Sequence, residues 1–389
     1  MPFKELAFTL EEYEQRLAKL KQSMEKHNID TVFITSPVNI YYYSGHPGIN
    51  APSGIAVNKD VDGFIAFCMR SEETLLRRTS VAREAYFFGE YGWAAKYAEK
   101  KGPYDVITNT LKEKGWLKGN IGVEKWTWYP CHQEFEKLIS GFEGVGAKVI
   151  DASKAINDVR HIKSPAELLY VRRAAEIADI GMKAAEKAIR PGVTELDVVA
   201  EIESAMHHAG GERNASRTMV QSGSRSVMQH CESSQKVINA GDIVDIDFCG
   251  VYKRYHADLG RTFCVGKPPE SVADAMKKIA GSLKVVQETI KPGMPLSEVT
   301  RVSGEYYAKA GIKPWYAEGY TLGISFPPEW VGVYFHAKGY NFDPGVVTNL
   351  DHCFCFDKED VGTCVIETLV MTESGIECLS NVKRDIIYC

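Results

Sequence analysis

The N-terminal part of the chain alternates between helical and strand-like hydrophobic patterns. After Thr9, a residue type that often caps helices, apolar side chains recur at helical spacing and predict a helix over residues 10–28. Short apolar runs predict strands, with helical stretches among them, at residues 29–36, 39–45, 63–69 and 121–125. Strands that alternate with helices predict an α/β domain with a largely parallel core.

The pattern changes near residues 155–163, where a long helix begins. Ser164 can cap that helix, Pro165 suits its first turn, and Glu167 supports its start. A chain of 389 residues is also too long for one ordinary core. We therefore predict two domains, of residues 1–158 and 159–389.

The second domain contains an internal repeat. Residues 185–211 align without gaps with residues 286–312, and both segments read as helix, basic-Pro-Gly turn, second helix and Ala-Gly. Strand-like runs follow each copy. Two such copies predict a pseudo-twofold α+β domain with a site on its pseudo-axis, although two unrelated helical hairpins would give a similar pattern.

The strand-like stretch after the first copy carries several acids. Asp245 and Asp247 alternate with apolar residues at the two-residue period of a strand, and Asp258 lies in a second strand-like run. Carboxylates held together without partners repel and raise one another's pKa. The pattern therefore predicts that a positive group binds there, or that the repulsion serves chemistry.

Composition narrows the classes of partner. The net charge is −5 and no run of basic residues occurs, which makes nucleic-acid binding a poor hypothesis. No segment has the apolar length of a membrane span, and the charged N-terminus does not resemble a secretory signal. The ten scattered cysteines are expected to be reduced thiols in a cytoplasmic protein.

Several motifs resemble those of the pita-bread enzymes, which include creatinase, aminopeptidase P, prolidase and ectoine hydrolase. The motifs are "RHIKSPAEL", "SGSRSVMQH", "DFCGVYKRYHADLGRT", "GYTLGISFPPEW" and "VIETLVMTESG". They look most similar to the ectoine hydrolase and creatinase branch. The resemblance implies an α/β N-terminal creatinase-like domain, an α+β pita-bread catalytic domain, and a homodimer in which the partner's N-terminal domain leans over the active site.

The resemblance also implies where the site residues lie. The carboxylates that hold two metals in the peptidase branch fall on Asp247, Asp258, Asp351 and Glu367. The metal-binding histidine of that branch is Tyr320 here, and a protonated tyrosine is a poor ligand. The resemblance to the ectoine hydrolase and creatinase branch therefore implies no cofactor, with manganese, iron or zinc on these carboxylates as the alternative.

Other residues of the motifs receive roles from the same resemblance. His230 matches the proton-transferring histidine of creatinase, and an imidazole can shuttle protons near neutral pH. His256 is expected to point away from the side of Asp247 or to cap the hairpin. Arg261 is expected to form an ion pair that orders the acids.

The leading hypothesis is a hydrolase of a carbon–nitrogen bond in a small polar metabolite, similar to ectoine or creatine. His230 transfers protons and Asp247 acts as nucleophile or orients water. The substrate's cationic group is held by Asp258, Tyr320, Asp351 and Glu367. The alternatives are a lyase of the dimethylsulfoniopropionate-cleaving type, a metal-dependent Xaa-Pro aminopeptidase or dipeptidase, and a binding protein without activity.

Overall fold

The computed structural model describes residues 4–48, 53–89 and 102–389. The chain divides into two compact units, Met1–His161 and Ile162–Cys389. Within the described ranges, every helix is too short or too polar to cross a membrane.

The first unit is built on a six-stranded mixed sheet of order β4-β3-β2-β1-β5-β6. Three of its neighbouring strand pairs are parallel and two are antiparallel. Its strands are β1 Thr31–Ile34, β2 Gly54–Asn58, β3 Ile65–Met69, β4 Glu84–Phe88, β5 Asn120–Val123 and β6 Lys148–Asp151. Its helices are α1 Leu10–Lys26, α2 Pro37–Ser44, α3 Glu73–Thr79, α4 Pro103–Glu113, α5 His132–Glu143 and α6 Ser153–Asn157.

One predicted strand of this unit is a helix. Residues 39–45, predicted as a strand, lie mostly in α2. The Ser36 side chain caps α2 by accepting a hydrogen bond from the Asn39 amide, and Pro37 occupies the first turn. Gly45 ends the helix in the left-handed conformation, with φ of 81°. Every residue of α2 is buried, so its apolar run lacks the polar face that would have identified a helix.

The second unit is built on an eight-stranded sheet in which β10-β11-β12-β9-β8-β7 form the main path, β13 pairs with β12, and β14 pairs with β9. The strands are β7 Met219–Ser222, β8 Ile243–Tyr252, β9 Tyr255–Cys264, β10 Tyr316–Glu318, β11 Val347–Phe356, β12 Val361–Thr372, β13 Gly375–Cys378 and β14 Ile387–Tyr388. The helices are α7 Pro165–Ala188, α8 Glu195–His208, α9 Glu270–Thr289 and α10 Ser297–Ala310.

The repeat in the sequence corresponds to a repeat of elements. Helices α7 and α8 precede β7, β8 and β9, and helices α9 and α10 precede β10, β11 and β12. The two Pro-Gly turns place Gly192 and Gly293 at left-handed φ values of 93° and 84°. The predicted pairs of helices, each followed by strands, are confirmed.

The helices cover one face of this sheet. Ile246 and Leu259 pack in the apolar cluster of α7 and α8, and Leu350 and Leu369 pack in that of α9 and α10. Successive strand residues point to opposite faces. We call the covered side the helix face and the opposite side the acid face, because the opposite side carries Asp245, Asp247, Asp258 and Asp351.

Candidate active site

A hairpin of β8 and β9 brings the first two acids together. Asp247 pairs with Gly260, and Cys249 pairs with Asp258, so the two aspartates are diagonal neighbours on the acid face. The two carboxyl groups are close enough for each to perturb the pKa of the other. The convergence expected from the sequence therefore occurs.

Asp258 accepts more side-chain hydrogen bonds than the other aspartates of the acid face. Asn349 Nδ2 donates to its Oδ2 at 3.0 Å, and the Tyr320 hydroxyl donates to the same oxygen at 3.4 Å. The Tyr320 amide donates to Asn349 Oδ1 at 2.8 Å, which fixes both side chains relative to each other. Burial and the charge of Asp258 raise the pKa of Tyr320 well above its usual range, so the phenol stays protonated.

Each of three aspartates has a thiol neighbour. Cys249 Sγ donates to Asp258 Oδ1 at 3.4 Å and Cys353 Sγ donates to Asp351 Oδ1 at 3.3 Å. Cys364 lies near Asp245, and its Sγ donates to the Ile246 carbonyl at 3.5 Å. Burial raises the pKa of all three thiols, which keeps them protonated as donors. The sequence analysis assigned these cysteines no place in the site, although Cys249 and Cys353 each follow an aspartate by two strand positions.

The protein raises the pKa of every acid in this group. For Asp247 burial is the largest cause, followed by the charges of Asp258 and Asp351, and its pKa lies well above the usual range. Burial raises the pKa of Asp258, although its hydrogen-bond donors oppose the shift. Burial and then the charge of Asp258 raise the pKa of Asp351 to about 7, and burial raises that of Asp245 to about 6.

The acids of this face have neutral protein partners. Among the described residues, no lysine or arginine forms an ion pair with Asp245, Asp247, Asp258 or Asp351. The donors are thiols, an amide and hydroxyls, together with Gln229, which donates to Asp245 at 3.4 Å. Within the part of the chain that the structure describes, a bound cation would therefore be the first full positive charge paired with this group.

Glu367 does not belong to the group, and its predicted place in the site is wrong. Asp351 pairs with Ile366 across β11 and β12, so Ile366 lies on the acid face and Glu367 on the helix face. The Glu367 side chain is fully buried and lies 2.6 Å from Arg261 and 2.7 Å from Arg384. The expected ion pair of Arg261 exists, but it neutralises Glu367 and does not reach the aspartates.

His230 lies in the loop that follows β7. The loop starts at the Asp245 end of the acid face, where Ser226 Oγ accepts from the Gly362 amide at 2.8 Å. His230 itself is exposed and adopts a left-handed φ of 62°. Its carbonyl oxygen accepts from Arg217 at 3.0 Å. No hydrogen bond among the described residues joins its ring to an aspartate, so its proton-transfer role stays a prediction.

His256 has a different orientation from the one expected. It follows the alternation of β9, two residues before Asp258, and therefore lies on the acid face. The ring is 1% exposed, and its Nδ1 contacts the Gly323 carbonyl at 2.7 Å. Burial lowers the pKa of His256 to about 4, so the ring is neutral. It did not turn away because Gly323, in the strand-like segment after Tyr320, supplies a carbonyl on this side.

Comparison with known protein families gives matches to both units. Residues 170–373 match the model of metallopeptidase family M24, and residues 16–162 match the creatinase/prolidase N-terminal domain. These matches confirm the predicted fold class, a creatinase-like α/β domain followed by a pita-bread catalytic domain.

The similar proteins have two kinds of described activity. An Xaa-Pro dipeptidase of Pyrococcus furiosus is 27% identical over 377 residues, which cover 96% of this chain and 99% of that protein. An ectoine hydrolase of Halomonas elongata is 26% identical over 411 aligned positions, which cover 98% of both. Among solved structures, a prolidase from Pyrococcus horikoshii is 25% identical, with a TM-score of 0.81 over 96% of this chain and 100% of that one.

The family match corrects the expectation of no cofactor. The matched family is described as one of metallopeptidases, and the similar proteins include Xaa-Pro dipeptidases. A divalent metal is therefore the expected cofactor for a member of this family.

The described residues supply only part of a ligand set for two metals. Asp247, Asp258 and Asp351 are carboxylates, which suit manganese or magnesium. Tyr320 is protonated, and Glu367 lies on the other face of the sheet. In the described part of the chain, no group of three or more histidine, cysteine, aspartate or glutamate residues is arranged to hold a metal ion. These residues do not fit a complete two-metal centre.

Proposed function

The chain belongs to metallopeptidase family M24, and on that premise we propose that it hydrolyses a carbon–nitrogen bond in a small polar metabolite with a cationic group, such as an amidine or guanidine. Ectoine and creatine are examples of such substrates. The family supports hydrolysis, and the ectoine hydrolase relative supports a substrate that is not a peptide.

One observation carries this proposal: the acid face gathers aspartates whose described partners are all neutral. Clustered carboxylates are costly to bury without a positive partner. An amidinium or guanidinium is planar and donates several N–H groups, so it can bind two carboxylates at once. A substrate of this kind would supply the positively charged partner that Asp258 and Asp351 lack among the described residues.

The roles of the residues follow from their contacts. Asp258 and Asp351 would bind the cationic group, with Tyr320 and Asn349 holding Asp258 in place. Asp247, which lies beside Asp258, would orient the attacking water, or act as nucleophile once it is ionised.

Proton transfer completes the reaction. Hydrolysis places the oxygen of water on carbon and a proton on the departing nitrogen. His230 would move that proton, from a loop that begins over one end of the acid face.

A second candidate function is hydrolysis of Xaa-Pro dipeptides. It is favoured by the similarity to the Pyrococcus furiosus enzyme, which spans nearly all of both chains. None of the relatives named above is described as a lyase.

A substrate panel tests the proposal. Purified protein is stripped with a chelator, supplied separately with manganese, iron, zinc, magnesium or no metal, and offered ectoine, creatine and Ala-Pro. Products are identified by mass spectrometry. We expect cleavage of ectoine, creatine or a close relative, loss of that activity in Asp258→Asn, and its retention in Asp274→Asn, a change on the exposed surface of α9. Cleavage of Ala-Pro alone would replace the proposal by the dipeptidase function.

We also infer that the enzyme is a cytoplasmic homodimer, as the resemblance to creatinase implies. All ten cysteines are free thiols, which supports a reducing compartment. Light scattering of the purified protein measures the oligomeric state, and a fully active monomer would contradict the inference of a homodimer.

A further inference from the structure

His256 has one ring nitrogen with a fixed partner and one without. Gly323 O accepts from both the His256 backbone amide, at 3.0 Å, and Nδ1, at 2.7 Å. A carbonyl oxygen only accepts hydrogen bonds, so Nδ1 carries the proton. In a neutral imidazole Nε2 is then an acceptor with a free lone pair.

The Nε2 atom is buried and has no hydrogen-bond partner among the described residues. A buried polar atom without a partner is costly, and native proteins rarely leave one unless a ligand or water completes it. The contact of Nδ1 with Gly323 therefore fixes the orientation of the ring, and Nε2 remains free to accept a hydrogen bond from a further donor.

A chain of side-chain contacts connects the ring of His256 with the proposed active site. The edge of His256 meets Trp330, with ring centroids 6.3 Å apart, and Trp330 packs on Tyr320 at 5.6 Å. Tyr320 in turn donates to Asp258. His256 and Asp258 are also separated by two positions on the same face of β9, a spacing of roughly 7 Å. One small molecule can therefore contact both.

We propose that His256 determines substrate specificity by accepting, at Nε2, a hydrogen bond from an N–H group of the substrate. This inference rests on the proposed function and names its substrate class more closely: a molecule with a cationic group for the aspartates and a separate N–H donor, such as an amide or a ring N–H, a few ångströms away. His256 is a binding residue in this scheme and takes no proton.

A matched pair of small probes tests the inference without turnover of the unknown substrate. Glycinamide carries an ammonium group and amide N–H donors, whereas its N,N-dimethylamide has the same ammonium group and no amide N–H. Binding of each is followed by titration of protein labelled with ¹⁵N-histidine, in which the Nε2 resonance of His256 reports a new donor directly. We expect the wild-type protein to prefer glycinamide by roughly three- to tenfold, the worth of one hydrogen bond.

Variants of His256 distinguish a role in substrate specificity from a purely structural role. His256→Asn keeps a side-chain N–H for the Gly323 carbonyl, but its oxygen is too short to reach the position of Nε2. The variant should therefore lose the preference while still binding the dimethylamide. His256→Gln supplies an acceptor and should recover part of it. The matched control is His352→Asn, because His352 is also a buried histidine with an unpartnered Nε2 but lies on the helix face beside Tyr307. It should keep the full preference.

Three outcomes would overturn the inference. They are a preference that survives in His256→Asn, an equal loss of both probes in that variant, and wild-type protein whose His256 resonance responds to neither probe. None of them bears on whether ectoine, creatine or Ala-Pro is cleaved, so failure here and failure of the proposed function are distinguishable.

Discussion

Asp351 of β11 lies directly opposite Ile366 of β12, on the acid face of the catalytic sheet. Cross-strand partners on one face lie about 4.5–5.5 Å apart at Cβ. An apolar side chain therefore lies beside Asp351, at a position where a carboxylate would add a further possible ligand for a cation. The acid of the same strand, Glu367, is one residue away and on the other face.

The first prediction follows from this pairing. Ile366→Glu places a further carboxylate beside Asp351 and should lower the dissociation constant for Mn²⁺ by roughly tenfold or more, since ligand charge tunes such affinities. Calorimetric titration of the chelator-treated protein measures the effect. The neutral isostere Ile366→Gln is the control for the change of shape, and an equal effect of both variants would show that charge at this position is irrelevant.

The second prediction concerns the helix face. Glu367 and Arg261 are both fully buried, so Glu367→Gln leaves an uncompensated guanidinium and should cost about 3–5 kcal/mol of unfolding free energy. Glu377→Gln is the matched control, because its ion pair with Arg172 is more than one-third exposed and should contribute about 0–1 kcal/mol. Urea unfolding of both variants measures the two values. Equal losses would contradict the assignment of Glu367 to a buried structural pair.

The aspartates of the hairpin and Glu367 differ in how well the sequence alone could place them. The alternation around Asp247 and the run to Asp258 predicted a hairpin with two converging acids, because a two-residue period sorts side chains by face. The same rule could not place Glu367. In β12 apolar and polar residues occur on both faces, so a shift of one residue in the assumed register moves the acid from one face to the other.

Two other predictions, the strand at residues 39–45 and the orientation of His256, were wrong for different reasons. The α2 segment has no exposed polar face because it is wholly buried, and only Ser36, Pro37 and Gly45 at its ends signalled a helix. His256 shares a face with Asp258, but its orientation depends on a carbonyl of Gly323, which is 67 residues away in the chain. Contacts between distant segments of this kind cannot be obtained from local periodicity.

The third prediction uses the raised pKa of Asp351. Its folded-state pKa of about 7 lies above the ordinary aspartate value of 3.8, so the folded protein binds more protons than the unfolded chain between these values. The contribution of this group to stability is therefore fully present below pH 4 and is lost as pH rises toward 7. Asp351→Asn should flatten that decline and be more stable than wild type at pH 8, with a difference that shrinks toward pH 4.

Thermal unfolding in chelator between pH 4 and pH 8 measures this dependence. Chelation matters because a bound cation would favour the ionised carboxylate and reverse the shift. Asp274→Asn, on an exposed surface, is the control and should follow the wild-type curve. A constant difference between Asp351→Asn and wild type across the range would show that Asp351 does not titrate there.

The last prediction concerns His230. Its ring is exposed, and within the described residues it donates no hydrogen bond to the rest of the protein, so His230→Ala should leave the melting temperature nearly unchanged. If His230 moves the proton to the departing nitrogen, the same change should lower turnover by a factor of about 10² to 10⁴ on the true substrate. The neighbouring exposed residue Met228 provides the control, since Met228→Ala alters the same loop without removing an acid or base. Turnover of His230→Ala within a few-fold of wild type would instead assign proton transfer to the Asp247–Asp258 pair, neighbouring carboxyl groups of the acid face whose pKa values are both raised.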